Sequence, residues 1–319
     1  MAVSSPVAAS LSKIASGAPV YIGEQNLDIS SGLQACHVIG WWPAGADLSA
    51  TPSKTVTVIP TVEDSDIAFS YTIDPKIFSG YAGTWYCVDK KPHRAVFELR
   101  EPQLVIRVWD QDNNKDITGK TVPLTVNITY RIETNLDAAL QYRYRPGITP
   151  ADTFFSVNMT DPRGKALYSV YTGSIGKSDT HTLPLEAHPF ISSSPYDWKD
   201  GSNWNRMSRN AQGEYLYPTG TYTFTVTQNL NRMQEMYTSS IPEDRAGHLD
   251  STATVTFSQE EPAPVQTLTA IPASPRVMTT GSPQVTMPSV TPSATVFPAT
   301  TDIPARTTYS PLPPWIAAA

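Results

Sequence analysis

Through the middle of the chain hydrophobic and polar residues alternate with a period of two, and the three-to-four spacing of an amphipathic helix does not recur. Residues 54–60 (KTVTVIP) put Val56 and Val58 on one face, and residues 103–110 (QLVIRVWD) put Leu104, Ile106 and Val108 on one side. The same alternation predicts strands over residues 122–132, 154–159, 166–172, 221–228 and 251–257. Turn signals bound several of them: DNN at 112–114, DPRG at 161–164 and YPTG at 217–220. Many short strands divided by Gly, Pro and Asn predict an all-β chain built of β-sandwiches.

Two stretches nearly repeat each other. GTWYC at 83–87 and GTYTF at 220–224 each place a turn glycine, then an aromatic residue, then an inward position two residues later. In an immunoglobulin-like sandwich this order marks a late strand, whose inward cysteine pairs with one on an earlier strand of the other sheet. Gly83, Trp85 and Cys87 fit it with Cys36 as the partner, and Gly220, Tyr222 and Phe224 repeat it with phenylalanine in the cysteine's place. Trp41 and Trp42 depart from the pattern, because they follow Cys36 by only five and six positions. The expectation is therefore immunoglobulin-like architecture rather than membership of that family. It predicts two tandem immunoglobulin-like β-sandwich domains, residues 15–101 and 102–259, divided near Pro102. The second carries an insertion, residues 172–214, rich in Ser, Asn, His, Trp and Pro. Long polar loops on a rigid β scaffold are where binding concentrates.

Composition narrows the function classes. The chain has 319 residues, enough for two cores, and 16% charged residues, with no apolar run near the roughly 20 needed to cross a bilayer. Its net charge is −6 and no Lys/Arg cluster is present, which sets nucleic acid aside as a partner. The two cysteines stand 51 positions apart (87 minus 36), too far for a CxxC motif. A single bridge and an oxidising, extracytoplasmic setting fit better, two buried free thiols being the alternative. Residues 1–14 read as a signal-peptide remnant or a disordered N-terminus. Residues 260–319 form a Pro/Thr/Ser-rich segment expected to be a disordered, extended stalk open to O-glycosylation. Trp315 and Ile316 before three alanines resemble the first turn of a membrane anchor continuing past Ala319, against a plain unstructured end.

Several separated motifs carry a family resemblance. VYIGEQNLDIS (20–30), IGWWPAGA (39–46), GTWY (83–86), VWDQDNNKDITGK (108–120), ITYRIETNL (128–136) and YLYPTGTYT (215–223) together resemble the domain of unknown function 3821 family, over about residues 15–240. That resemblance implies a cell-surface protein of a methanogenic archaeon, with signal peptide, stalk and C-terminal membrane helix. It brings no catalytic residues and no ligand.

Candidate chemistry is sparse. Asp110, Asp112, Asn114 and Asp116 stand at every second position, as calcium-loop ligands do. Lys115 replaces the loop's glycine and Thr121 its final glutamate, so a polar hairpin is the competing reading and calcium the only candidate cofactor. Asn127 and Asn158 head glycosylation sequons. Trp41, Trp42, Tyr196, Trp198 and Trp204 lie in predicted loops, where they could stack on sugar rings or pack into the core. Five scattered histidines lack ligand spacing; His181 and His188 share the insertion without a nearby cysteine. Glu63, Asp64 and Asp66 read as a solvated face, and no GxSxG, HExxH, P-loop or dinucleotide fingerprint is present. The expected function is non-enzymatic: a structural surface-layer or sheath-like envelope component tethered to the membrane, associating with itself or other envelope proteins. The alternative is an adhesin or a carbohydrate- or solute-binding module using residues 172–214.

Overall fold

The computed structural model describes residues 12–58, 70–172, 182–210, 212–241 and 246–259. Most of the N-terminal segment, residues 260–319 with the expected stalk and anchor, the Glu63–Asp66 run and His181 lie outside them. The all-β expectation holds: strands dominate and the helices are short. No helix of the described residues is long and apolar enough to cross a membrane.

The first sheet has five strands in the order β2 (Pro19–Tyr21), β7 (Ala95–Arg100), β6 (Gly83–Cys87), β4 (Val38–Trp41), β5 (Lys54–Thr57). Only β2 runs parallel to its neighbour. A short parallel pair, β1 (Ser12–Lys13) with β3 (Leu27–Asp28), accompanies it. Val20, Ile39, Trp85, Phe97 and Leu99 bury one core, closed by Leu33 and Phe78 from two single-turn helices, Ser30–Leu33 and Pro75–Phe78. The second helix starts where the sequence dictates: Pro75 opens the first turn and the Asp74 carboxylate accepts the Lys76 N–H. That seats the Phe78 ring edge-on to Trp85, 4.9 Å between centroids.

The second core lies between two further sheets. One is ordered β16 (Tyr196–Asp197), β11 (Ile128–Thr134), β8 (Leu104–Asp110), β9 (Lys115–Asp116). The other is ordered β10 (Thr121–Pro123), β18 (Asp250–Ser258), β17 (Gly220–Gln228), β12 (Phe155–Thr160), β13 (Ala166–Leu167). A hairpin of β14 (Ser169–Tyr171) and β15 (Thr182–Pro184) stands beside them. Leu104, Ile106 and Val108 face Phe224, Val226 and Val255 across this core, as period-two alternation requires.

The predicted strand over 122–132 is two strands in different sheets. The chain crosses between β10 and β11 at residues 124–127, where Leu124 turns inward. An eight-residue helix, Met233–Ser240, was not legible, because Met233 and Tyr237 alone are buried in an otherwise polar run.

The repeated Gly-Thr-aromatic motif has one physical cause in both copies. Gly83 and Gly220 start their strands at φ 120° and 129°, a region that L side chains avoid, and a Cβ on Gly220 would meet Pro162 at 2.8 Å. The aromatic two positions on then donates back four residues. The Trp85 Nε1–H reaches the Tyr81 carbonyl at 3.1 Å, and the Tyr222 hydroxyl reaches the Pro218 carbonyl at 3.0 Å.

Burial raises the pKa of the Tyr71 phenol to about 12 and holds those of Tyr21, Tyr130 and Tyr222 above the usual tyrosine range. A folded-state pKa above the unfolded one means the native state keeps protons that the unfolded chain releases from about pH 10 upward. Stability is therefore expected to be independent of these groups below pH 10 and to fall as pH rises beyond it. Tyrosinate absorbance and unfolding should rise together in an alkaline titration; ionisation of these phenols in the still-folded protein would contradict their burial.

Candidate functional site

The Cys36–Cys87 disulfide is formed, with its Cα atoms 5.9 Å apart. Its position differs from the immunoglobulin pattern. β4 and β6 are neighbours in one sheet, with Ile39 opposite Cys87, so the bridge ties adjacent strands rather than two sheets. Asp89 joins both sulfurs in the one convergence of three potential metal-ligating groups among the described residues, and the disulfide already occupies those sulfurs.

The Asp110–Asp116 run is a hairpin between β8 and β9, and its oxygens do not converge on one point. Asp110 accepts the backbone N–H groups of Asp112 and Asn113 at 3.1 Å each. Asp112 is engaged by the Asn127 amide at 2.9 and 3.0 Å, and Asn114 accepts from the Trp109 indole. Asp116 accepts the Thr118 N–H and pairs with Arg107 at 3.1 Å. Each side chain thus serves a turn or a strand neighbour, and the polar-hairpin alternative describes the geometry.

Three of the five loop aromatics are core residues. Trp198 stacks on Tyr130, centroids 5.4 Å apart and planes 9° from parallel. Trp204 packs edge-on against Tyr217, Tyr222 and Phe257, and Trp42 is buried with its Nε1–H on the Ala50 carbonyl. Trp41 and Tyr196 are half-buried, and the Tyr196 hydroxyl donates to Glu186. These rings form no surface platform, because the 196–217 stretch closes the second core itself. Of the sequon asparagines, Asn158 points outward from β12 and is exposed, whereas Asn127 is half-buried and holds Asp112. His188 hydrogen-bonds the Phe155 carbonyl at 3.3 Å.

The insertion does build a concavity. Residues 199–204 turn tightly over β11: a Cβ on Gly201 would lie 2.6 Å from the Ile128 carbonyl oxygen. That turn sends Trp204 into the core and sets Asn203, Asn205 and Arg206 beside the 124–127 crossing. The result is a cleft of about 660 Å³ with Asn203, Asn205, Arg206 and Met207 on one side and Thr125 and Asn127 on the other. Arg206 is 3% exposed. Its Nε donates to the Leu124 carbonyl at 3.1 Å and Nη1 to the Trp204 carbonyl at 3.3 Å, and the guanidinium lies 5.2 and 5.3 Å from the Trp204 and Phe257 ring centres. It makes no ion pair among the described residues. Burial, opposed by Tyr222, Asp112 and Tyr217, lowers its pKa to about 10. Sequence reasoning missed this arginine: within NWNRMSRN it looks like any surface cation.

A second buried charge joins the two cores. Glu24, fully buried, receives both terminal nitrogens of Arg145 at 2.8 and 2.9 Å, the Tyr21 N–H at 2.8 Å and the Asn231 amide at 2.8 Å. Arg145 also donates to the Pro19 carbonyl. Tyr21, next to this group on β2, packs into the second core, and its hydroxyl donates to the Asn135 carbonyl.

None of the curated proteins matches the chain. Residues 16–235 match the family described as domain of unknown function (DUF3821), more than half of the chain and all but the last part of the two cores; the protein belongs to that family.

Proposed function

We propose that this is a non-enzymatic, extracytoplasmic cell-surface protein whose second core carries a ligand-binding cleft. The observation that carries the binding reading is the cleft itself. Most of its lining comes from the 172–214 stretch, laid over two sheets that share one core. The disulfide supports an oxidising compartment. Two tandem β domains remain our reading of the architecture, supported by the two separate cores and the paired Trp85 and Tyr222 corners; the second, with two facing sheets, is the immunoglobulin-like sandwich, while the first packs one five-stranded sheet under short helices and departs from that pattern. An archaeal envelope location, a Thr/Pro-rich stalk from residue 260 and a membrane anchor complete the proposal. Glycans are the expected ligands, with an N-glycan on exposed Asn158.

One observation favours lateral assembly as a second reading. Thr221, Thr223 and Thr225 on β17 stand opposite Thr256, Thr254 and Thr252 on β18, an uncharged hydroxyl face flanked by Ser156, Asn158 and Thr160. The outer face of the four-stranded sheet is by contrast a ladder of Arg107, Arg131, Glu133, Asp116 and Asp197. A hydroxyl face without charge suits repeated copies of one chain.

A saccharide panel separates the two readings. Asn203→Trp fills the cleft from an exposed position and leaves the core alone. Binders are expected for the wild-type chain and not for this variant. Ordered sheets or tubes from a chain that binds no saccharide would overturn the cleft reading in favour of lateral assembly.

A further inference from the structure

Arg206 is a buried cation that no carboxylate of the described residues pairs, and it lines the cleft. Buried charges in folded proteins are ordinarily paired, because an uncompensated one loses its hydration without return. Here the compensation is partial: two backbone carbonyls and two aromatic faces. None of these uses the planar fork's capacity to hold two oxygens of one anion. The rest of the polar lining is uncharged. Asn203 offers an amide that can donate and accept, and Asn205 offers its amide NH2, its oxygen already accepting the Met207 N–H; the Asn127 NH2 is held on Asp112, and Met207 and Leu183 add apolar surface. The cleft's volume falls in the range of small-ligand sites.

We propose that this cleft takes an acidic saccharide, a sugar ring carrying a carboxylate, with that carboxylate on the Arg206 guanidinium and the ring against the Asn203 and Asn205 amides. The inference rests on the binding reading above and adds the charge of the ligand. Burial pulls the pKa of Arg206 down to about 10, so an anion on the guanidinium offsets a desolvation cost that the fold already bears. Asp112 is the one carboxylate acting on Arg206, beside the Tyr222 and Tyr217 phenols, and Asn127 holds it by both oxygens. The anion therefore meets a guanidinium whose local acid is already engaged.

The test titrates the full chain with glucuronate and galacturonate, with glucose and galactose as uncharged parents, and with inorganic sulfate, read by calorimetry. The acids are expected to bind roughly tenfold or more tightly than their parents, the effect of one charge-assisted pair in a sheltered site. Asn203→Trp should abolish binding, and Arg206→Gln should remove the acid preference. Should Arg206→Gln not fold, the acid-to-parent ratio and the Asn203→Trp block still decide the matter. Equal affinity for acid and parent, lost in Asn203→Trp, would keep the binding module and overturn the acidic ligand. Sulfate binding as tightly as the uronates would reduce the site to an oxyanion pocket and overturn the saccharide. No binding by any sugar would overturn the inference, and no hit across the wider panel would overturn the binding reading with it.

Discussion

Replacing Glu24 with alanine is expected to destabilise the folded protein by about 3–5 kcal/mol, the cost of leaving a buried cation without its partner. The size follows from the geometry. Glu24 is fully buried, Arg145 nearly so, and two bonds join the carboxylate to both terminal guanidinium nitrogens, with Tyr21 and Asn231 closing the remaining acceptor positions; the Arg145 Nε–H is buried without a hydrogen-bond partner among the described residues. Removing the carboxylate strands the guanidinium beside the Pro19 carbonyl and frees the Tyr21 N–H and the Asn231 amide at once. Desolvated groups left unpaired cost more than the net value of the bonds they made. Arg145→Ala is expected to match Glu24→Ala, because it strands the opposite charge. The pair Glu24→Met with Arg145→Met should recover much of the loss, since two apolar chains of similar length need no partner. Chemical denaturation of the three variants measures this directly. A Glu24→Ala loss below about 1 kcal/mol, the size of an exposed ion pair, would show that water reaches the network.

The sequence revealed those parts of the fold in which one face is wet. β8, β17 and β18 alternate inward and outward over seven to nine residues, and each was legible to within a residue. The calcium-like run was legible as a hairpin for the same local reason, its DNN turn. Contacts that depend on distant partners were not legible. Glu24 and Arg145 are 121 positions apart, and neither carries a local pattern, although Glu24 sits in the GEQ of a quoted motif. Trp198 and Trp204 looked like loop aromatics because their stretch has no periodicity. They are core residues because β16 adds to the edge of β11 and draws the following turn inward. Arg206 was hidden by its polar neighbours, since burial comes from the Gly201 turn against β11 and not from composition.

Removing the Cys36–Cys87 bridge is the second large change, expected to cost about 4 kcal/mol in the chain-entropy account for a 51-residue separation, and at least about 2 kcal/mol. The loss should fall unevenly. The bridge fixes the approach to β4 against the end of β6, and the same pairing sets Ile39 opposite Cys87 and Trp41 opposite Trp85. The first core is the smaller of the two and has a single five-stranded sheet, so it depends more on that pin than the second core depends on anything covalent. Native-state hydrogen exchange of Cys36→Ala with Cys87→Ala should therefore show amides of β4, β5 and β6 losing protection before those of β17 and β18. Equal loss in both would mean that the two cores unfold as one cooperative unit, with Glu24 and Arg145 as the coupling. The two predictions then constrain each other. If the polar latch couples the cores, one unfolding transition reads both changes, and Glu24→Ala combined with the cysteine variant should cost the sum of the two within about 0.5 kcal/mol; independent cores would instead give two separate transitions, with the cysteine variant shifting that of the first core alone.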